Sequence, residues 1–371
     1  MLVVGEASGD AHGAQFVDAL HQRDATLKVF GVAGAELQRR GFEPLFNVAQ
    51  LTGMGFTELA GKLKTLWRAY HLLKQALISR RPNLLVLIDF PDFNLRLARV
   101  AKTLGIPVLY YISPQIWAWR KGRVKKIARL VDHMAVVFPF EEAFYRRHRV
   151  HTTFVGHPLL DSVKVTESRE SVLTRLGLDP KKLTIALLPG SRIGEVSRHL
   201  GVMRDAALQL QRQMNIQFFC LRASTIAMSD LEARLGPANG AIPVVDDNHY
   251  NTINAADLVW TASGTATLEV CLLGKPMIIV YRMAWLTWAL AKLLVRVEHF
   301  GMVNLVAQER VVPELFQTDV TVDRLVRESR RLLDDDKLRR GIAEKLTKLR
   351  ERLGVPGAAG RVADLAMTMM R

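Results

Sequence analysis

The chain has 371 residues, 49% hydrophobic and 23% charged, which excludes extensive disorder. At roughly 100–200 residues per domain that length accommodates two domains, each with its own core. The net charge of +15 favours anionic partners (nucleic acid, anionic lipid or phosphorylated substrates), and two isolated cysteines, Cys220 and Cys271, exclude a disulfide scaffold and point to a reducing compartment.

The opening "MLVVGEASGD" has no basic start and only a short apolar run, so it does not read as a signal peptide. No window approaches the ~18 uninterrupted apolar residues of a spanning helix. The greasiest stretch, 283–300, is broken by Lys292 and Arg296. These features predict a cytosolic protein, at most resting on a membrane.

Strands are predicted at 2–4, 28–32, 84–89, 107–112, 134–138 and 152–155, then at 184–189, 215–221, 242–245, 257–261 and 276–281. Runs such as "LLVLI", "PVLYYI", "TIALL" and "MIIVY" are apolar throughout, as expected for strands covered on both faces of a parallel sheet. Helix-periodic segments lie between most of them, so the fold class is α/β, doubly wound. The polar stretch 159–180 has no strand run and marks a boundary. The expected division is a first Rossmann-like domain over 1–160, a second over 161–340, and a charged helical end, 341–371.

In doubly wound sheets ligands bind at the carboxyl ends of the strands, so the loops there carry the chemistry. The first, Gly5 to Ala14, has glycines at 5, 9 and 13 but neither the GxGxxG nor the Walker A spacing. It is a glycine-requiring turn or a substrate loop. The next, "LIDFPDFN", places Asp89 at a strand end and Asp92 past Pro91. Either can act as a general base, and either can cap the following helix. In "LLPGSRIGEV", Gly190 permits a tight path, the helix start attracts an anion, and Arg192 can fork onto phosphate oxygens. The alternative is a plain turn with a surface arginine.

"TASGTATLEVCLLGKP" is the most informative loop. Ser263, Gly264 and Thr265 open a helix directly after a strand. Glu269, four residues past Thr265, shares its face and is the lone charge of an apolar helix. A carboxylate placed there needs a partner, which a ribose diol supplies; the other reading is a solvent-facing Glu. The ten histidines show no metal-ligand spacing, so no metal and no cofactor is expected.

One stretch raises a question of its own. "SPQIWAWRKGRVKKIARL" (113–130) puts Trp117 and Trp119 beside Arg120, Lys121, Arg123, Lys125, Lys126 and Arg129 with no acid among them. It fits a nucleic acid, a membrane surface or a phosphate-bearing lipid; it also fits core tryptophans beside a solvated helix face.

Taken in order, "GEASGD", "DFPDFN", "SPQIWAWRKGRVKKI", "FPFEEAFY", "VGHPL", "LLPGSRIGEV", "ASGTATLE", "YRM" and "VNLVA" span residues 5 to 307 and closely resemble the lipid A disaccharide synthases, inverting glycosyltransferases of the two-Rossmann-domain (GT-B) type. The resemblance implies two domains facing a cleft, the first for the acceptor and the second for the nucleotide, with the last helix packing back on the first. It implies transfer from UDP-2,3-diacylglucosamine to 2,3-diacylglucosamine 1-phosphate, giving a β-1,6-linked disaccharide and UDP. Asp92 matches the candidate base, with Asp89 the alternative. Arg192, Ser191 and the Ser263–Gly264–Thr265 helix start would hold the diphosphate, Glu269 the ribose, and Asn304 would lie near the nucleotide, although Val303 stands where the family usually has Pro. Glu6, Ser8 and Asp10 would line the sugar pocket. Relatives are expected to carry a few more residues ahead of the first strand.

The same resemblance turns 113–130 toward acylated anionic sugars at the inner face of the inner membrane. Trp117, Trp119, Arg120, Arg123 and Trp67, with the stretches 63–81 and 284–294, are the expected lipid contacts. A homodimer is compatible with it. The rivals are another nucleotide-sugar enzyme of this fold, such as a UDP-sugar epimerase, and a basic nucleic-acid-binding protein. The latter finds no RRM, KH or zinc-finger signature here, so no nucleic acid partner is expected.

Overall fold

The computed structural model describes residues 1–52, 59–114, 116, 121–285, 288 and 300–370. Contacts divide them into two units, Met1–Asp161 with Leu353–Arg371, and Ser162–Arg352.

The first unit is built on a seven-stranded parallel sheet: β1 (Leu2–Val4), β2 (Phe30–Ala33), β3 (Glu43–Asn47), β4 (Leu85–Ile88), β5 (Val108–Tyr111), β6 (His133–Val136) and β7 (Thr152–Phe154). Their spatial order is β3-β2-β1-β4-β5-β6-β7. The second is a six-stranded parallel sheet of β8 (Leu183–Leu188), β9 (Ile216–Leu221), β10 (Val244–Val245), β11 (Leu258–Ala262), β12 (Met277–Tyr281) and β13 (Glu314–Phe316), in the order β10-β9-β8-β11-β12-β13. The apolar runs of β4, β5, β9 and β11 are buried at every position, because helices cover both faces of each sheet.

These orders locate the sites. Strand order reverses between β1 and β4 in the first unit and between β8 and β11 in the second. Crevices for ligands open at the carboxyl ends of the strands at such switch points. The loops singled out from the sequence leave those four strands.

Two strands differ from expectation. β3 is an edge strand, partly exposed and containing Pro44, and β13 is a three-residue edge strand. Neither has the continuous apolar run of an interior strand. The helix Asp336–Arg352 packs in the second unit, on the helix Thr265–Leu272, burying Ile342, Leu346 and Leu349. The return to the first unit therefore begins at Leu353 rather than at 341. There the helix Ala358–Met370 packs on Ala7–His21, and Arg361 Nε donates to the Val155 carbonyl (2.9 Å). Among the described residues, no helix is long and apolar enough to cross a membrane.

Candidate active site

At the first switch point, the β1 and β4 loops meet without room to spare. A Cβ on Gly5 would stand 2.2 Å from the Phe90 Cβ, so only glycine fits. Beyond β4 the chain takes two consecutive left-handed residues that are not glycine, Asp89 (φ 55°) and Phe90 (φ 50°). Each such residue carries strain of about 1–3 kcal/mol and persists only where its surroundings over-determine it. Here they do. The Asn94 Nδ2 donates to the Asp89 carbonyl at 2.7 Å and to the Ile88 carbonyl at 3.2 Å, and the Tyr110 hydroxyl donates to the Asp89 carbonyl at 2.5 Å. Both side chains are fully buried, and burial pushes the Tyr110 phenol well above its usual pKa, so it remains a donor.

Asp89 is half-buried at the turn, and Asp92 stands exposed on the first turn of the helix Pro91–Thr103. Arg123 Nη2 donates to Asp92 Oδ1 at 2.5 Å. Glu6 and Ser8 lie, partly exposed, at the start of the helix Ala7–His21. Asp10 turns inward instead. It is buried and accepts from the N–H groups of Gly34 (2.7 Å) and Glu36 (2.9 Å), capping the short helix Ala35–Gln38. These bonds build the β2 loop and turn the carboxylate, expected in the sugar pocket, toward the backbone.

At the second switch point, β8 runs into Pro189, Gly190, Ser191 and Arg192, the N-cap of the helix Ile193–Gln213. Gly190 has φ 131°, and a Cβ there would meet the Glu195 Cβ at 2.6 Å. Glu195 accepts from the Ser191 N–H (3.2 Å) and from Arg192 Nη1 (3.4 Å), while most of the Arg192 side chain stays in solvent. His199 fastens this loop to its neighbour. It is fully buried, and burial holds its pKa below the ordinary value. The neutral ring donates from Nδ1 to the Pro189 carbonyl (2.9 Å) and accepts at Nε2 from the Arg282 N–H (2.9 Å), joining the ends of β8 and β12.

β11 is followed by Ser263 and by Gly264, the N-cap of the helix Thr265–Leu272. Gly264 has φ 155° and nothing within 4 Å of where a Cβ would stand, so the backbone faces open space. One turn on, Glu269 is mostly buried and already partnered: His249 Nε2 lies 3.1 Å from Oε2, and the Tyr250 hydroxyl donates to Oε1 at 3.4 Å. The buried carboxylate of Glu269 thus finds partners within the chain, on the helix His249–Asn254.

Asn304 is fully buried, and its amide is engaged with the chain. It accepts from the N–H groups of Val311 (2.8 Å) and Val312 (3.0 Å) and donates to the Val312 carbonyl (2.9 Å) and to Glu314 Oε1 (2.7 Å). Glu314 in turn accepts from the N–H groups of Phe300 and Gly301, and the Ser263 hydroxyl donates to the Phe300 carbonyl at 3.1 Å. Asn304 thus supports the Phe300–Ser263 wall rather than reaching out itself. Beside it, Phe300, Phe316 and Tyr281 stack.

Trp67 is 62% exposed and Leu63, one turn earlier on the helix Leu59–Arg80, equally so. Arg123, expected at a lipid surface, is engaged with Asp92. Trp117, Trp119 and Arg120 lie outside the described residues. Among those described, no group of three His, Cys, Asp or Glu is arranged to hold a metal. A cavity of about 700 Å³ lies beside Val311–Pro313, which precede β13, on the side away from the strand carboxyl ends, and holds none of the site residues. His199, His249, Tyr250, Asn94 and Tyr110 were missed as site residues. His249 and Tyr250 were within reach, since they follow the predicted strand 242–245 just as the chosen loops follow theirs.

A family model described as Lipid-A-disaccharide synthetase matches residues 1–358. The Lipid-A-disaccharide synthase of Geobacter sulfurreducens is 44% identical over 371 residues, covering 100% of this chain and 97% of that protein. The protein of the same name from Syntrophus aciditrophicus is 44% identical over 375 residues, with the same coverage. Among solved structures, the UDP-GlcNAc 2-epimerase of Neisseria meningitidis bound to UDP-GlcNAc superposes with a TM-score of 0.67 at 12% identity, over 99% of both chains. MurG of Acinetobacter baumannii does so with a TM-score of 0.60 at 16% identity, over 99% of this chain and 98% of that one. At these identities the likeness shows the fold, the GT-B type shared by glycosyltransferases and epimerases.

Proposed function

The chain belongs to the lipid-A-disaccharide synthetase family, glycosyltransferases of lipid A biosynthesis, and from that premise we propose that it joins UDP-2,3-diacylglucosamine to 2,3-diacylglucosamine 1-phosphate through a β-1,6 bond with inversion. The observation that carries this reading is the second switch point. A phosphate-ready helix start at Gly264–Thr265, a glycine-shaped loop ending in the exposed Arg192, and Glu269 one turn into the helix suit a nucleoside diphosphate.

In this reading the first unit takes the acceptor. Asp92 removes the proton of the 6-hydroxyl, with Asp89 as the alternative base on the same turn. The freed oxygen forms a bond to the anomeric carbon, and the bond from that carbon to the diphosphate breaks on the opposite face. The electron pair leaves with UDP. Arg192 and the N–H groups of the helix starts take up the charge that develops on the diphosphate. Glu269, oriented by His249 and Tyr250, accepts from the ribose hydroxyls. Leu63 and Trp67, exposed beside Lys64 and Arg68, rest the protein on the anionic inner face of the inner membrane.

The test is UDP release in detergent micelles from UDP-2,3-diacylglucosamine, with and without 2,3-diacylglucosamine 1-phosphate. Release that requires both lipids, with a disaccharide product, is the expected result. Release without acceptor would assign hydrolytic or epimerase-like chemistry instead. UDP binding with no release under either condition would mean the substrate pair is wrong.

A further inference from the structure

Asp92 lies among cations. Arg96 and Arg99 follow it at four and seven residues along the helix Pro91–Thr103, so all three lie on one face. The helix Val124–Leu130 packs against this one, bringing Arg123 and Lys126 alongside. The Arg123 guanidinium holds Asp92 Oδ1 at 2.5 Å. Burial and the charges of Arg99, Arg123 and Arg96 lower the Lys126 pKa, with Asp92 the opposing influence. Among the described residues, Arg96, Arg99 and Lys126 form no ion pair. Elsewhere in the first unit many arginines are neutralised: Arg23 by Asp364, Arg40 by Asp18 and Glu36, Arg80 by Glu43, and Arg146 by Glu142. The charges of Arg96, Arg99 and Arg123 repel the Lys126 ammonium, and an anion seated among them relieves that repulsion.

We propose that Arg96, Arg99, Lys126 and Arg123 form a phosphomonoester site that grips the phosphate of the acceptor sugar and so presents its hydroxyl to Asp92. This rests on the reading of Asp92 as the base. A guanidinium fork and an ammonium suit a dianionic, multi-oxygen ligand. The site shares Arg123 with Asp92, so a bound phosphate draws on the guanidinium that now holds the carboxylate. The two sources of such a phosphate are the acceptor and the headgroups of an anionic bilayer, and the proposal commits to the acceptor.

The experiment compares 2,3-diacylglucosamine 1-phosphate with the same lipid lacking its phosphate, in neutral detergent micelles, for the wild type and for an Arg99→Gln/Lys126→Gln variant. Urea unfolding of both proteins, read in parallel, shows whether the variant has folded. The expected result is that the preference in kcat/KM for the phosphorylated acceptor falls at least tenfold in the variant. An unchanged preference overturns the proposal. So does an equal loss for both acceptors accompanied by weaker sedimentation with phosphatidylglycerol vesicles, which would assign the cluster to the bilayer. If the wild type forms no disaccharide from either acceptor, the proposed reaction fails rather than the site. Calorimetry with glucosamine 1-phosphate then decides the site alone: binding weakened at least tenfold in the variant supports it, and equal affinity, or no binding by the wild type, overturns it. Arg96→Gln, at a solvent-facing position, repeats the measurement should the double variant not fold.

Discussion

Replacing Gly190 with alanine separates the two ways in which a glycine can serve an anion-binding loop. At φ 131° an L side chain is strained whatever the space around it, which costs about 1–2 kcal/mol. The added Cβ would also stand 2.6 Å from the Glu195 Cβ and 2.7 Å from its Oε2, so Glu195 must move. Overpacking of this kind adds about 1–3 kcal/mol, for a total destabilisation of about 2–5 kcal/mol. Moving Glu195 also frees the Ser191 N–H and Arg192, whose positions it sets. Urea unfolding reads the first effect and calorimetry with UDP the second, with affinity expected to fall at least tenfold, or about 1.4 kcal/mol. The companion variant is Gly264→Ala, where nothing stands within 4 Å of the new Cβ. It is expected to lose little stability beyond the backbone strain, yet to lose UDP affinity, because the methyl fills the space a ligand must enter. A wild-type unfolding midpoint for Gly190→Ala would refute the steric argument. Wild-type UDP affinity in both variants would refute the placement of the diphosphate at these loops.

Asp92→Asn is expected to lower turnover by about 100-fold or more while leaving UDP affinity unchanged, since it removes the base and little else; wild-type turnover would pass the role to Asp89. Glu269→Ala removes an acceptor that two ribose hydroxyls would share, and with about 1.5–3 kcal/mol for a hydrogen bond to a charged group, UDP affinity should fall at least tenfold by calorimetry. The His157 pKa is lowered from 6.5 to about 3, first by burial and then by His12. The unfolded chain therefore binds a proton below pH 6.5 that the folded one refuses, so this stability is present above pH 6.5 and is lost as pH falls. Between pH 6.5 and 5 the loss is about 2 kcal/mol at 1.36 kcal/mol per pH unit, and urea midpoints for His157→Gln should show a shallower acid limb than the wild type.

Interior strands were legible because burial on both faces leaves a continuous apolar run, whereas β3 and β13, at sheet edges, have no such constraint. The loops of the candidate site were legible for a related reason. A backbone that must turn sharply, or leave room for a ligand, calls for glycine, as at Gly5, Gly190 and Gly264. Which polar side chains face outward is a different kind of information. Asp10 closes its hydrogen bonds on the backbone of the β2 loop, and Asn304 on the Val311–Val312 backbone ahead of β13, contacts that spacing does not show. His199 could not be assigned from spacing, because its partners, Pro189 and Arg282, meet only once β8 and β12 lie in one sheet.

The distribution of strain bears on which unit does the chemistry. A loop that only has to bind can be built from glycine without backbone strain, and the second switch point uses Gly190 and Gly264 at its positive-φ positions. The first places Asp89 and Phe90 in the left-handed region and holds them there with Asn94 and Tyr110. Glycine at those two positions would relieve the strain, but it would delete the carboxylate at 89 and the ring that packs over Gly5. Strain of about 1–3 kcal/mol per residue is retained where geometry at a reacting atom is worth more than stability. The aspartates on this turn, rather than those buried in caps, are therefore the ones whose aim the fold protects, and Tyr110→Phe should lower turnover without weakening UDP binding, because the hydroxyl it removes donates to the Asp89 carbonyl in the turn that presents them. Steady-state kinetics beside UDP calorimetry checks this, and an unchanged kcat would separate the strain from the chemistry.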